Sequence, residues 1–180
     1  MVMQMLAAGG VPVLSDGLRE ADEDNPRGYF EFEPAKKLLA DSAAEAKGKA
    51  VKIVAPLLRA VPAGVPCRVI VIERDFDEIL DSQAKMIDRR GSTAAAGDSL
   101  ERRELLKTEY TRTMNRTKQW LARRANTAFL ILDRDSVFAA PAAAGVRIAE
   151  FLGGGVDADA MAAVVDLSLH RNRRPESQVA

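Results

Sequence analysis

The stretch that most constrains this chain is "RVIVIERDFDEILDSQ", from Arg68 to Gln83. Val69, Ile70, Val71 and Ile72 are four consecutive β-branched residues, a type that favours extended backbone. A strand that is apolar at every position needs cover on both faces, which suits a parallel sheet lying between layers of helix. The run stops at Glu73-Arg74-Asp75. Asp75 with Glu78 three residues on has the pattern of a helix N-terminus. The sequence therefore predicts a strand over Arg68 to Glu73 and a helix from Asp75 to about Arg89, with Ile79, Met86 and Ile87 inward.

The rest of the chain repeats that alternation. "MVMQMLAA" is a short apolar helix stopped by Gly9-Gly10. Val11 to Leu14 and Ala50 to Ala55 are strand candidates, and Pro34 to Lys47 is a helix candidate between them. "GSTAAAGDS", Gly91 to Ser99, is small and polar and is expected to be a mobile loop. A long helix follows over Leu100 to Ala125, with Leu106, Tyr110, Met114, Trp120 and Leu121 on its inner side. Thr127 to Asp133 is a second buried strand. Val146 to Leu152 is a helix closed by the three glycines from Gly153, Asp157 to Val165 a last short helix, and Arg171 to Ala180 a frayed tail. Alternating strands and helices predict one α/β domain, residues 1–180, with a mainly parallel sheet flanked by helices.

Counting residues removes several functions. With 26 basic and 26 acidic side chains the formal net charge is zero, so bulk charge points to neither nucleic acid nor membrane. Cys67 and His170 are the only cysteine and histidine. Together they exclude an intramolecular disulfide, most zinc sites and any mechanism that needs two histidines, and no metal is expected. A reducing cytoplasm fits the lone cysteine. No apolar stretch approaches the roughly 20 residues that span a bilayer.

Ligands of open parallel sheets sit beyond the carboxyl ends of the strands, which is where Arg74 stands. Ser82 is seven residues past the Asp75 cap, almost two full helical turns, so it shares the cap's flank roughly 10 Å along the axis. A guanidinium and a hydroxyl so placed can share one anion, phosphate above all. The competing reading pairs Arg74 with a carboxylate and leaves Ser82 solvated.

Several of these stretches together resemble the bacterial branch of the sulfotransferase family. "VIERDFDEILDSQ" is similar to the family's strand-Arg-helix-Ser motif, with Ser82 eight residues after Arg74. "MVMQMLAAGGVPVLSDG", "DNPRGYFEFE" and "IAEFLG" look like further family segments, in the same order along the chain. The resemblance implies a P-loop NTPase-like architecture. It also implies that Arg74 and Ser82 hold the 3′-phosphate of 3′-phosphoadenosine 5′-phosphosulfate (PAPS). The implied reaction is transfer of the sulfuryl group to a hydroxyl or amine of a small-molecule or glycan-type acceptor. The family opens with a strand and a Pro-Arg/Lys-Ser-Gly-Thr loop that cradles the phosphosulfate, and these 180 residues contain no such loop. The chain is therefore expected to be N-terminally incomplete relative to the family. A non-catalytic relative keeping only the 3′-phosphate half-site is the alternative. A different P-loop transferase, such as a small-molecule kinase, is disfavoured because no Walker lysine is present.

Sulfuryl transfer needs a base for the acceptor. Since His170 lies beside the tail, a carboxylate is the better candidate. Glu31, within "GYFEF", has aromatic neighbours that would raise its pKa by desolvation; the competing reading is a rim carboxylate. Glu23 and Asp24 are weaker rivals. Basic residues of the long helix, among them Arg112 and Arg116, could attract an anionic acceptor, although a solvated face is the commoner explanation. Arg171, Arg173 and Arg174 could reach a nucleotide or simply solubilise the tail.

Overall fold

A computed structural model of the chain describes residues 1–18, 21–22, 28–32, 44–89 and 100–169. Two strands, β1 (Cys67–Glu73) and β2 (Thr127–Asp133), pair in parallel, from Cys67 opposite Thr127 to Glu73 opposite Asp133. Before them come helix α1 (Val2–Ala8) and a 3-10 turn (Ala55–Ala60); α2 (Phe76–Arg89) and α3 (Leu100–Arg123) lie between them. After β2 come α4 (Arg134–Ala139), α5 (Pro141–Leu152) and α6 (Ala158–Ala163). The fold is α/β, as the alternation of patterns implied.

Both faces of the strand pair are covered, which is what an uninterrupted apolar run requires. Successive side chains of a strand point to opposite faces. Ile70, Ile72, Leu130 and Leu132 pack with Met5, Leu6, Val137, Ala144, Ile148 and Met161, the core under α1, α5 and α6. Val69, Val71, Phe129 and Ile131 pack with Leu58, Met114 and Leu121, the core under α3 and the 3-10 turn.

Local chemistry sets the helix ends. Asp133 Oδ1 accepts from Ser136 N, and Asp157 Oδ1 from Ala160 N, so both residues are N-caps. Helix α5 ends at Gly153, whose φ of 87° lies in the left-handed region that glycine enters without strain. There Gly154 N donates to Ala149 O and Gly153 N to Glu150 O, closing the helix with a Schellman turn.

Some expectations need correction. Val11 to Leu14 and Ala50 to Ala55 are not strands; they meet in a single parallel bridge, Val13 with Ala50. Leu14 N donates to Ala50 O and Ala50 N to Pro12 O, but Pro12 has no N–H to extend the ladder, and Asp16 N turns to Glu31 O. The helix α3 stops at Arg123, short of Ala125, and Asn126 takes a left-handed turn with φ 56°. Leu106 is exposed, while Thr117 joins Met114 and Leu121 in the core. The α6 helix is shorter than Asp157 to Val165: Asp157 caps it from outside, and it ends at Ala163 with Val164 as its C-cap. Most of Pro34 to Lys47, all of Gly91 to Ser99 and all of Arg171 to Ala180 lie outside the described residues, as do Glu23, Asp24 and His170. Among the described residues, no helix is long and apolar enough to cross a membrane.

Candidate functional site

The two strand ends have nearly the same sequence: Ile72-Glu73-Arg74-Asp75 and Leu132-Asp133-Arg134-Asp135. Because Glu73 pairs with Asp133, both arginines leave the carboxyl edge of the sheet at the same level. That edge is where open α/β sheets bind ligands. Asp75 Oδ1 accepts from Glu78 N at 3.0 Å, so Asp75 caps α2 as its sequence pattern indicates.

The carboxylate of Glu78 does not turn back to complete a capping box. It points to the two arginines. Its Oε2 lies 3.5 Å from Arg74 Nε and 3.0 Å from Arg134 Nη1. Arg74 Nη2 also donates to Glu78 O at 3.1 Å. Glu78 is 4% accessible, and the Arg74 and Arg134 side chains are 24% and 12% accessible. The ion-pair distances are short but poorly aligned: Arg74 Nε and Glu78 Oε2 are buried without hydrogen-bond partners. Unmade hydrogen bonds on buried charged atoms are costly, which marks this cluster as a store of unused binding capacity.

Burial holds the pKa of Arg134 below its ordinary value, and the neighbouring charge of Arg74 adds to the effect; Glu78, Asp135 and Asp133 oppose it. The guanidinium lies 5.3 Å from the centre of the Phe138 ring, a cation–π contact that braces it from the other side. Asp135 Oδ1 is 3.7 Å from Arg134 Nε. On the α3 side, Tyr110 packs on Phe76 with ring centres 5.1 Å apart. The Tyr110 phenol has a raised pKa, through burial first and then the charge of Glu73; a hydrogen bond to the Arg74 backbone and that residue's charge pull the other way.

Arg74 lies just before α2, and within the helix Glu78 and Ser82 stand at the i, i+4 spacing on one flank. Arg74 is committed to Glu78, and Ser82, half-buried, stands one turn further along. Glu31 belongs to another part of the molecule. Its neighbour Phe32 packs with Leu14, Ala46, Val51 and Ile53. Tyr29, also buried, donates its hydroxyl to Asp22, and Lys52 Nζ donates to Tyr29 O at 2.9 Å. Between them Phe30 has φ 51°, an unusual conformation for an aromatic residue, and Glu31 is half-buried. No hydrogen bond or ion pair joins Glu31 to Arg74 or Ser82.

Several of the α3 cations have local partners. Arg103 pairs with Asp81 and Asp77, Lys107 with Asp77, Lys118 with Glu73, and Arg112 with Glu109. Arg124 ties the start of β2 to the loop before β1: its Nε donates to Thr127 Oγ1 and its Nη1 to Val61 O, while Trp120 stacks 4.8 Å away. These contacts make much of the basic helix structural.

Sequence reasoning missed Arg134 and the role of Glu78. The repeated acid-Arg-Asp at the ends of the two strands was the available signal. Comparison of the chain with protein-family models, curated proteins and solved structures gave no significant match.

Proposed function

We propose that this chain is a sulfotransferase-like domain of P-loop NTPase-like architecture, working in a reducing cytoplasm. In this reading Arg74 and Ser82 hold the 3′-phosphate of PAPS. The acceptor is a hydroxyl or amine of a small molecule or glycan. Glu31 takes the acceptor's proton as the new O–S or N–S bond forms and the sulfur–phosphate oxygen bond breaks, releasing adenosine 3′,5′-bisphosphate.

One observation carries the proposal: Arg74 stands at the carboxyl edge of a parallel strand pair, directly before a capped helix that bears Ser82 almost two turns beyond its cap. A fork of N–H donors and a hydroxyl in that position match the needs of a phosphate. The observed partner of Arg74 is a carboxylate, an anion of the same kind of hydrogen-bonding chemistry.

Calorimetric titration with adenosine 3′,5′-bisphosphate tests the binding half. Arg74→Ala should cost about 1.5–3 kcal/mol, ten-fold or more in affinity. Equal affinities for wild type and variant would remove Arg74 from the site. In a form competent for sulfate transfer, Glu31→Gln should keep donor binding and lose about 10²- to 10⁴-fold in turnover. Near-normal turnover would move the base elsewhere. A second reading, binding without transfer, is favoured by the absence of a Pro-Arg/Lys-Ser-Gly-Thr stretch from these residues. Bisphosphate binding with no sulfate transfer from PAPS would select it.

A further inference from the structure

The carboxyl edge carries more charge than a site made of Arg74 and Ser82 needs. Resting on the phosphate reading of Arg74, we infer that Arg134 is a second ligand for the bound anion and that Glu78 is the internal carboxylate the anion displaces.

Three observations lead there. The strand register places Arg134 beside Arg74 at one edge, and each is within ion-pair distance of the same Glu78 oxygen. That oxygen and Arg74 Nε are both buried and lack hydrogen bonds, so the carboxylate satisfies its two partners poorly. One singly charged group also lies between two cations. Asp135, half-buried, also pairs with Arg134, at 3.7 Å, and its buried Oδ1 likewise lacks a hydrogen bond. The other nearby bases, Lys107, Lys118 and Arg103, are paired with Asp77, Glu73 and Asp81 and do not bear on this oxygen.

A phosphate monoester corrects both defects. It brings up to two negative charges and three terminal oxygens, enough for a separate acceptor to each guanidinium and one for the Ser82 hydroxyl. Ser82 lies one helical turn from Glu78 on the same flank, so a phosphate replacing that carboxylate is within its range. Stacking on Phe138 keeps Arg134 in place when Glu78 leaves. In the free protein Glu78 holds the two like charges together, and the ligand's affinity is lowered by the cost of displacing it.

The test is calorimetric titration of adenosine 3′,5′-bisphosphate into wild type, Glu78→Gln, Arg134→Lys and Arg74→Ala, each checked for folding by circular dichroism. Glu78→Gln should bind about ten-fold or more tightly than wild type, because a neutral amide competes less well for the guanidiniums. Arg134→Lys should bind about ten-fold or more weakly, since lysine keeps the charge but loses the fork. Because Glu78→Gln leaves two cations without their counter-ion, a second measurement uses the wild type alone. The Nε–H resonances of both Arg74 and Arg134 should shift during the nuclear magnetic resonance titration. The inference is overturned if Glu78→Gln binds no better than wild type, or if Arg134→Lys binds equally well. It is also overturned if only the Arg74 resonance moves. Loss of binding in Arg74→Ala with no effect at Arg134 or Glu78 would sink the inference and leave the phosphate reading standing. Absence of binding in both wild type and Glu78→Gln would sink both.

Discussion

Tyr110 is the residue that most directly reports on the carboxyl edge, because its ring packs on Phe76 and its hydroxyl meets the Arg74 backbone. Its phenol has a raised pKa, so the folded state keeps its proton at a pH where the unfolded chain, titrating near 10, has begun to lose it. Above about pH 10 the unfolded state therefore binds fewer protons, and folding stability falls as pH rises. Below that value the Tyr110 contribution is fully present. Tyr110→Phe removes both the hydrogen bond and the titration. The stability gap between wild type and Tyr110→Phe, measured by urea unfolding from pH 8 to 11, should be constant at first and shrink above about pH 10. A gap that stays constant across the range would mean that Tyr110 ionises alike in both states.

At the scale of elements, α5 and α6 approach each other closely at Gly145. A Cβ added at Gly145, inside α5, would lie 2.5 Å from Ala158 O at the start of α6. Helix propensity alone favours alanine over glycine by about 1 kcal/mol. The clash is with backbone, which cannot rotate away, and overpacking of this kind costs about 1–3 kcal/mol. Gly145→Ala should therefore be destabilised in chemical denaturation despite its better propensity; a stabilised variant would show that the two helices can separate at little cost. The same distinction explains what could be read from the sequence. Strands β1 and β2, the Asp75 cap and the glycine stop of α5 are local effects, written in a few adjacent residues. Glycine at 145 looks like a flaw in a helix until its partner helix is known. Leu106 fits the helical stripe of α3 yet is exposed, because cover depends on which neighbour lies opposite. Glu78 was visible as a capping-box residue, but its two arginine partners come from strand ends about 60 residues apart in sequence. Only the register of the sheet brings those ends together.

At the scale of the molecule, the two strands carry one core on each side. Leu132 is 1% accessible and faces the core of α1, α5 and α6. Trp120, the sole tryptophan, lies against the opposite core beneath α3. If β1 and β2 act as a rigid partition, damage to one core must be felt in the other, because neither layer can hold the strands paired without its counterpart. Leu132→Ala should cost about 2–5 kcal/mol, through lost burial and the cavity left behind. The decisive measurement is whether that loss reaches Trp120. Its fluorescence and far-ultraviolet circular dichroism should give the same lowered midpoint in urea, as a two-state transition requires. A fluorescence midpoint left near the wild-type value, with circular dichroism lowered, would show that the two sides unfold separately. The carboxyl edge would then be shared by two units, with Arg74 and α2 able to part from Arg134 and α4. Coincident midpoints would tie the spacing of the two arginines to the stability of both cores, fixing before any anion arrives the geometry on which a shared site depends.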